Sequence, residues 1–200
     1  MDLALFDFDG TLTTRETFVD VLQAATPRWR TAAARVALVP CVLAYRTGRL
    51  SPHGMRSAAT AVAFAGRAAR PVRERMRRAA RDLVPALECT AMRARLHAHR
   101  DRGDRVLVVS GNYEWLLAPW CEAVGVECLA SRLEVRAGRL TGRYDGPQCV
   151  GAEKARRVRA HLDVAAYARV HAYGDTAEDH ALLALAHVRT FRGQPVAHAA

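Results

Sequence analysis

The sequence of 200 residues lacks any apolar run near the ~20 residues that a membrane-spanning helix needs, and we expect no such helix. It also lacks a Cys-x-x-Cys pair, and its five cysteines are an odd number. These absences argue against a disulfide framework or a zinc site and favour a reducing compartment, the cytoplasm. Acidic residues near the start of the sequence, where a signal peptide carries basic ones, point the same way.

Lysine is nearly absent, with one residue, Lys154, against 29 arginines. A position that keeps lysine in so arginine-rich a chain indicates a need for a compact ammonium group on a flexible stem. The net charge of +10 arises in residues 12–104, which carry 18 Arg and 7 acids. Such a segment is either a solvated helical surface or a surface that attracts phosphorylated substrates, anionic lipid headgroups or nucleic acid.

Three apolar, strand-like runs each end in small or polar residues: Leu3–Phe8, Arg105–Val109 and Arg169–Tyr173. The second and third are followed by helical patterns, which is typical of the βα unit of a parallel sheet. We therefore predict an α/β fold with a Rossmann-like parallel sheet. Since ligands of such sheets bind at the carboxyl ends of the strands, we expect the polar residues after these runs to converge.

The remaining elements are predicted from weaker patterns. We expect a hairpin around Ala137-Gly138, between the apolar and charged runs on either side. This hairpin is expected to cover residues 132–144. The other expected elements are strands at 126–130 and 187–191 and helices at 113–124, 152–162 and 178–186.

The spacing of the strands locates an insert. Between Asp7 and Ser110 the chain is far longer than the dozen or so residues that a crossover connection needs. Residues 15–90 are rich in Ala and Arg, helical in period and interrupted by prolines. We predict a core formed by residues 1–14 and 91–200, with a small helical cap at residues 15–90.

The sequence Asp7-Phe8-Asp9 brings two carboxylates to the end of the first strand, on one side because strand side chains alternate. Two close carboxylates repel, so one must hold a proton or face a cation. Such a pair suits a nucleophile together with a general acid and base. Gly10 and Thr11 then form a tight turn whose backbone N–H groups can bind an anion.

Asp175 and Asp179 lie four residues apart at the start of a predicted helix. Glu178 or Asp179 could serve only as a helix cap. Together with Asp7, however, Asp175 would form an all-oxygen site that suits Mg²⁺. Ser110 offers a hydroxyl group for a phosphate oxygen, and Lys154 would balance anionic charge on the opposite side.

The ordered series of DFDGT, VVSGN, Lys154 and GDTAED resembles the haloacid dehalogenase superfamily of aspartate-based phosphotransferases along nearly the whole chain. The helical insert after the first strand is similar to that of the phosphoserine-phosphatase-like branch, subfamily IB. The stretches that carry this second resemblance are FDFDGTLTTRETF, SRLEV with GRLTGRYDGP, and YGDTAEDHALL.

The resemblance implies a Mg²⁺-dependent phosphomonoester hydrolase that forms an aspartyl-phosphate on a small phosphorylated metabolite. Asp7 would be the nucleophile and Asp9 the general acid and base. Mg²⁺ would be held by Asp7, the carbonyl oxygen of Asp9 and Asp175, with Asp179 behind them or bound through water. The phosphoryl oxygens would be bound by Thr11, Ser110, Gly111 and Lys154.

Substrate choice is less well defined by the sequence. The residues that we expect to select the substrate are Glu16 and Asn112. The resemblance implies that Glu16 holds a substrate amino group; the alternative is an exposed residue in the first turn of the cap. Asn112 stands where phosphoserine phosphatases usually have glycine. We expect the apolar run 32–45 to form the core of the cap. The alternative is an interfacial patch that, with the basic residues, makes peripheral membrane contact and presents a lipid phosphate of the phosphatidylglycerophosphate type.

A second alternative is a catalytically silent core whose basic cap binds RNA or an acidic partner. Aromatic residues make up only 6% of the chain, which leaves few side chains for stacking on bases. Every expected catalytic position is also filled. We therefore favour the enzyme and do not expect a nucleic-acid partner; the oligomeric state is left open by the sequence.

Overall fold

A six-stranded sheet organises the computed structural model, which describes residues 1–196. Its strands follow the order β3-β2-β1-β6-β7-β8, and each neighbouring pair is parallel except β7 and β8. A separate antiparallel hairpin is formed by β4 and β5. The predicted α/β fold with a Rossmann-like sheet is confirmed. The strands are β1 (Leu3–Phe6), β2 (Arg105–Tyr113), β3 (Glu127–Ser131), β4 (Leu133–Arg136), β5 (Arg139–Tyr144), β6 (Val170–Gly174), β7 (Val188–Phe191) and β8 (Gln194–Val196).

Strand β1 lies at the centre of the sheet and is fully buried. Its side chains alternate between the two faces, so Leu3 and Leu5 pack in one hydrophobic cluster and Ala4 and Phe6 in the other. Burial of both faces explains why the strand is a continuous apolar run. Because β1 lies between β2 and β6, the residues that follow these three strands meet at one edge of the sheet.

Nine α-helices accompany the sheet in residues 1–196, and six of them lie between β1 and β2. None of these helices is long and apolar enough to cross a membrane. The helices are α1 (Phe18–Ala25), α2 (Arg28–Ala37), α3 (Val39–Arg46), α4 (Pro52–Phe64), α5 (Ala69–Asp82), α6 (Thr90–Asp101), α7 (Glu114–Val124), α8 (Ala152–His161) and α9 (His180–Leu183).

Some element bounds differ from those predicted. Strand β1 ends at Phe6 rather than Phe8, because the chain then enters a tight turn over Phe8–Leu12. Strand β2 continues through Ser110 to Tyr113, because a register shift after Ser110 lets Tyr113 pair with Ser131. Ser110, Gly111 and Asn112 thus belong to the strand and not to a loop after it.

The end of the described chain also departs from prediction. The helix expected at 178–186 is a short 3₁₀ turn (Ala177–Asp179) followed by the four residues of α9. Strand β8 was not predicted, and it pairs with β7 through a turn in which Arg192 and Gly193 both have positive φ. In the β4–β5 hairpin, the predicted turn at Ala137-Gly138 is confirmed, and both residues again have positive φ.

Helices α1 to α5 occupy the predicted cap segment, and α5 packs against α7 of the sheet region. The division into core and cap stays a prediction. The expectation that residues 32–45 form the core of the cap is wrong: each of these residues is exposed or half-buried. The physical reason is that, within residues 1–196, the elements that pack closely against α2 and α3 are α4 and each other, so that these two helices lie on the outside of the cap segment.

Candidate active site

Asp7 follows β1 directly, and its backbone N–H donates to the carbonyl oxygen of Tyr173 at 2.9 Å. By the alternation of the strand, its side chain continues the row of Leu3 and Leu5, towards the cluster that contains parts of α8 and α9. The Nζ atom of Lys154 donates to Asp7 Oδ1 at 2.5 Å and to Asp179 Oδ1 at 2.5 Å. A buried ammonium group therefore bridges two buried carboxylates.

The charge balance of this cluster shifts the pKa of its members. Burial is the largest effect on Asp7 and raises its pKa to about 8. The repulsion of Asp179 acts in the same direction, and the attraction of Lys154 opposes both. Burial of Lys154 favours the neutral amine, but the charges of Asp7 and Asp179 outweigh it and hold its pKa above the ordinary value. The site thus has an excess of negative charge, which a bound cation would compensate.

The carboxylate of Asp9 has different partners from that of Asp7. Its Oδ1 accepts from the backbone N–H of Thr17 at 2.8 Å and from the hydroxyl group of Thr17 at 2.5 Å. Its Oδ2 accepts from Nδ2 of Asn112 at 3.0 Å. All three residues are buried, so Asp9 is held in a fixed orientation by neutral donors.

The turn after Asp9 brings the chain against Asp175. Gly10 has φ +78°, and a Cβ atom there would lie 2.3 Å from Oδ2 of Asp175. The hydroxyl group of Thr11 donates to Oδ1 of Asp175 at 3.3 Å. Only glycine satisfies both the backbone angle and this close approach.

Asp179 links the lysine to the loop that carries Asp175. Its Oδ1 accepts from Lys154, whereas its Oδ2 accepts from the backbone N–H groups of Asp175 and Thr176 at 3.1 and 3.0 Å. These donors lower the pKa of Asp179, although burial opposes them. Burial and the charge of Asp179 raise the pKa of Asp175.

Ser110 lies in the part of β2 next to the turn. Its Oγ accepts from the backbone N–H of Asn112 at 3.1 Å, which leaves its proton free to donate to a ligand. The carbonyl oxygen of the adjacent Gly111 accepts from the hydroxyl group of Ser131 at 2.9 Å. Two hydrogen bonds therefore hold the backbone that follows Ser110.

Three carboxylates could hold a metal ion: in residues 1–196, Asp7, Asp175 and Asp179 each offer an oxygen, and these oxygens lie within 4.8 Å of one another. A set of carboxylate oxygens suits Mg²⁺ rather than a soft metal. The Asp9 carboxylate is not part of this cluster, which agrees with the expectation that Asp9 would contribute its backbone carbonyl oxygen. The ligand set itself stays a prediction.

Glu16 lies beside a cap residue that the sequence did not single out. Nη2 of Arg56, in α4, lies 3.4 Å from Oε2 of Glu16, and Nη1 lies 3.9 Å from Oε2 of Glu178. Nη1 also lies close to Gly111, next to Ser110: a Cβ atom added to this glycine would be 2.6 Å from Nη1. Arg56 therefore reaches from the predicted cap segment to Gly111 in β2, next to the predicted phosphate-binding residue Ser110.

The structure brings most of the predicted residues to one end of the sheet. Asp7, Thr11, Lys154, Asp175 and Asp179 are joined by direct contacts. Asp9 and Asn112 form a second group, which Asn112 connects to Ser110 through its backbone. Sequence reasoning missed Thr17 and Arg56, because nothing in the pattern distinguishes them from neighbouring threonines and the other arginines.

Comparison with known proteins assigns the chain to a family. Residues 4–184 match the haloacid dehalogenase-like hydrolase family. The chain belongs to this family. It is also 32% identical over 201 aligned positions to Protein CicA from Caulobacter vibrioides (strain NA1000 / CB15N), which covers 96% of this chain and 88% of that protein. The family resemblance predicted from the sequence is thus confirmed.

Solved structures with a similar fold agree with this family assignment. A protein of unknown function from Bordetella pertussis Tohama I superposes with a TM-score of 0.78 at 24% identity, over 94% of this chain and 88% of that one. A substrate-bound phosphoserine phosphatase gives a TM-score of 0.68 at 20% identity, over 95% and 85% of the two chains. The predicted likeness in fold to the phosphoserine phosphatases is confirmed.

Proposed function

We propose that this hydrolase is a Mg²⁺-dependent phosphatase that cleaves the phosphomonoester of a small phosphorylated metabolite through an aspartyl-phosphate. The observation that carries the proposal is the different environment of two carboxylates two residues apart. Asp7 contacts Lys154 within the acidic cluster, whereas Asp9 is held by Thr17 and Asn112. Paired carboxylates in unlike environments are suited to separate roles.

In the first step, an oxygen of Asp7 attacks phosphorus, the new O–P bond forms, and the bond from phosphorus to the ester oxygen breaks. Asp9 donates its proton to the departing oxygen, so the alcohol leaves neutral. In the second step, Asp9 takes a proton from a water molecule whose oxygen attacks phosphorus. The bond to Asp7 then breaks, and inorganic phosphate leaves.

Ser110 and Lys154 would hold the non-bridging oxygens during both steps. Within residues 1–196, the hydroxyl group of Ser110 accepts from Asn112 and donates to no protein acceptor, and the ammonium of Lys154 already contacts the proposed nucleophile. Phosphoryl transfer depends mainly on such positioning and charge neutralisation. Thr11 and the backbone at Gly111 would complete the phosphate cradle.

Mg²⁺ fits the carboxylate oxygens of Asp7, Asp175 and Asp179. These three acids lie close together, and the single positive charge of Lys154 does not balance their negative charge. We infer that Asp7, the Asp9 carbonyl oxygen and Asp175 bind it directly and that Asp179 supports it. When bound, the ion would reduce the repulsion between the Asp7 carboxylate and the phosphate dianion.

Glu16 and Arg56 carry opposite charges and lie near Gly111, beside the proposed phosphate site. Their side chains would bind charged groups of the substrate next to its phosphate. The catalytically silent alternative is disfavoured because all the acidic and phosphate-binding positions are occupied and joined by short contacts.

The test is phosphate release from a panel of phosphoserine, sugar phosphates, nucleotides and phosphatidylglycerophosphate, with Mg²⁺ and with EDTA. Asp7→Asn serves as the blank. Release that needs Mg²⁺ and is absent from the blank would support the proposal. A folded protein that releases no phosphate from any member would instead favour the binding module, which retention on nucleic acid at low salt would then test.

A further inference from the structure

A large apolar groove lies in the cap, enclosed by α1, α2, α3 and α4, with a volume of about 620 Å³. This size is within the range of small-molecule sites. Much of its lining is apolar and includes Phe18, Leu22, Ala34, Leu38, Met55 and Ala59. Exposure of the apolar surface of such a groove to water is unfavourable in free energy, so the groove suits an apolar ligand.

The inner end of the groove is polar and reaches the candidate active site. It is lined by Glu16, Arg56, Thr176 and Glu178. Thr176 directly follows Asp175, and the Arg56 guanidinium reaches Gly111 beside Ser110. A ligand whose phosphate is bound near Asp7 can therefore extend past Arg56 into the apolar part.

The outer wall of the groove is formed by α2 and α3, neither of which has a buried residue. The half-buried residues of this wall recur at helical spacing, as Ala34, Leu38, Cys41 and Ala44, and so form its inner face. This wall is thus not the packed core of the cap. Ala34, Leu38 and Tyr45 of this wall line the groove.

The outward face of the same wall is also apolar. Of the eleven large hydrophobic side chains exposed in residues 1–196, five lie on α2 and α3 and do not line the groove, and Arg28, Arg46 and Arg49 lie among or beside them. These five are Trp29, Val36, Val39, Val42 and Leu43. Apolar residues interspersed with arginine suit contact with an anionic lipid surface.

We propose that the substrate is a phosphomonoester with an apolar chain, and that this chain lies in the groove while its phosphate is bound near Asp7. The proposal rests on the proposed phosphatase activity and names its substrate class. The chemistry is shared by lipid phosphates of a bilayer and by soluble amphiphiles, and the outward face of α2 and α3 favours the bilayer as the source.

The first experiment compares kcat/KM for ethyl, butyl, hexyl and octyl phosphate in monomeric solution with Mg²⁺. A methylene fully removed from water is worth about a fourfold gain in binding. Because the groove is open on one side, we expect the octyl ester to exceed the ethyl ester by about 100-fold. A ratio near one would overturn the proposal.

A matched pair of variants tests the position of the chain. Ala34→Phe narrows the groove, whereas Ala33→Phe adds the same ring to the exposed side of the same helix. We expect the octyl-to-ethyl ratio to fall by about tenfold or more in Ala34→Phe and to stay at the wild-type value in Ala33→Phe. Equal ratios in both variants would exclude this groove.

Failure of this proposal and failure of the phosphatase are distinguishable. If no ester, including ethyl phosphate and p-nitrophenyl phosphate, is hydrolysed above the Asp7→Asn blank, the phosphatase proposal fails. If all are hydrolysed at the same rate regardless of chain length, the phosphatase stands and the groove proposal fails.

A vesicle arm distinguishes the two sources. Turnover of phosphatidic acid in phosphatidylcholine–phosphatidylglycerol vesicles is compared with turnover of monomeric dihexanoyl phosphatidic acid. If the bilayer is the source, Val39→Gln/Leu43→Gln, on the outward face, lowers vesicle turnover and co-sedimentation but not turnover of the monomer. If both rates respond equally, the source is a soluble amphiphile.

Discussion

Asn112 donates a hydrogen bond from Nδ2 to Oδ2 of Asp9 at 3.0 Å, and the backbone N–H of the same asparagine donates to Ser110 Oγ at 3.1 Å. One buried residue therefore orients both the proposed proton donor and the proposed phosphate ligand. The amide also donates to Thr17 Oγ1 at 3.0 Å, which itself donates to Asp9. Glycine, usual here in phosphoserine phosphatases, could not make the side-chain contacts.

Replacement of Asn112 by Ala is expected to lower kcat by about 10- to 100-fold for esters of ordinary alcohols, because Asp9 loses a positioning donor. For p-nitrophenyl phosphate, whose leaving group needs little protonation, we expect a much smaller loss. The measurement is the ratio of the two kcat effects. Equal losses on both substrates would show that Asn112 is needed for folding or phosphate binding rather than for orienting Asp9.

The sequence was sufficient to predict which polar residues meet at one end of the sheet, because strand alternation and the parallel topology determine where Asp7, Ser110 and Asp175 lie. Lys154 was identified by its being the sole lysine. Arg56 was not identified, because its position beside Gly111 depends on how α4 packs near β2. The segment of residues 12–104 also contains 17 other arginines.

Residues 32–45 show a second limit of the sequence. Their apolar composition is equally compatible with a packed core and with the wall of a groove, since both bury or half-bury one helix face. The choice depends on whether another element covers that face. Such long-range packing is not encoded in a local pattern, and here α2 and α3 contact α4 while enclosing open space.

Asp7→Asn should abolish turnover, with a loss of at least about 10⁴-fold, because an amide cannot form the acyl phosphate. The fold should persist, since burial already raises the pKa of Asp7 to about 8 and a neutral amide suits such a site. In EDTA we expect the melting temperature to change by less than about 4 °C. Near-normal turnover would show that Asp7 is not the nucleophile.

Lys154→Arg should lower kcat/KM by about 100-fold although the charge is kept. The lysine is buried, and its single nitrogen lies 2.5 Å from both Asp7 and Asp179, a space that a planar guanidinium does not fit. Arg156→Lys, the reverse exchange at an exposed site of the same helix, is the control and should leave the rate unchanged. An unaffected rate in Lys154→Arg would contradict a need for the compact ammonium.

Gly10→Ala should impair the acidic cluster, because the new Cβ would lie 2.3 Å from Asp175 Oδ2. We expect the Mg²⁺ concentration for half-maximal rate to rise by about tenfold or more. Gly103→Ala is the matched control, since its φ of +77° is nearly the same as the +78° of Gly10 and nothing lies within 4 Å. It should cost about 1 kcal/mol in stability from backbone strain and leave the Mg²⁺ requirement unchanged. Equal Mg²⁺ requirements in the two variants would argue against Asp175 as a ligand.

His99 should make the stability of the protein depend on pH. The ring is buried between Asp104 and Tyr173, with Nδ1 2.8 Å from Asp104 Oδ2 and Nε2 2.8 Å from the Tyr173 hydroxyl oxygen. Burial lowers the pKa of His99 from its ordinary value of 6.5, although Asp104 opposes the change. The unfolded chain therefore binds a proton at a higher pH than the folded chain.

The sign of the effect follows from this difference. As the pH falls below 6.5, the unfolded state gains a proton that the folded state does not, so the free energy of unfolding decreases. The slope is at most about 1.4 kcal/mol per pH unit and ends at the pKa of the folded state. Urea denaturation between about pH 5 and 7 should give a flatter dependence for His99→Gln than for wild type. The control is His53→Gln, at an exposed position, which should keep the wild-type slope. Parallel curves for His99→Gln and wild type would mean that His99 titrates alike in the folded and unfolded chains.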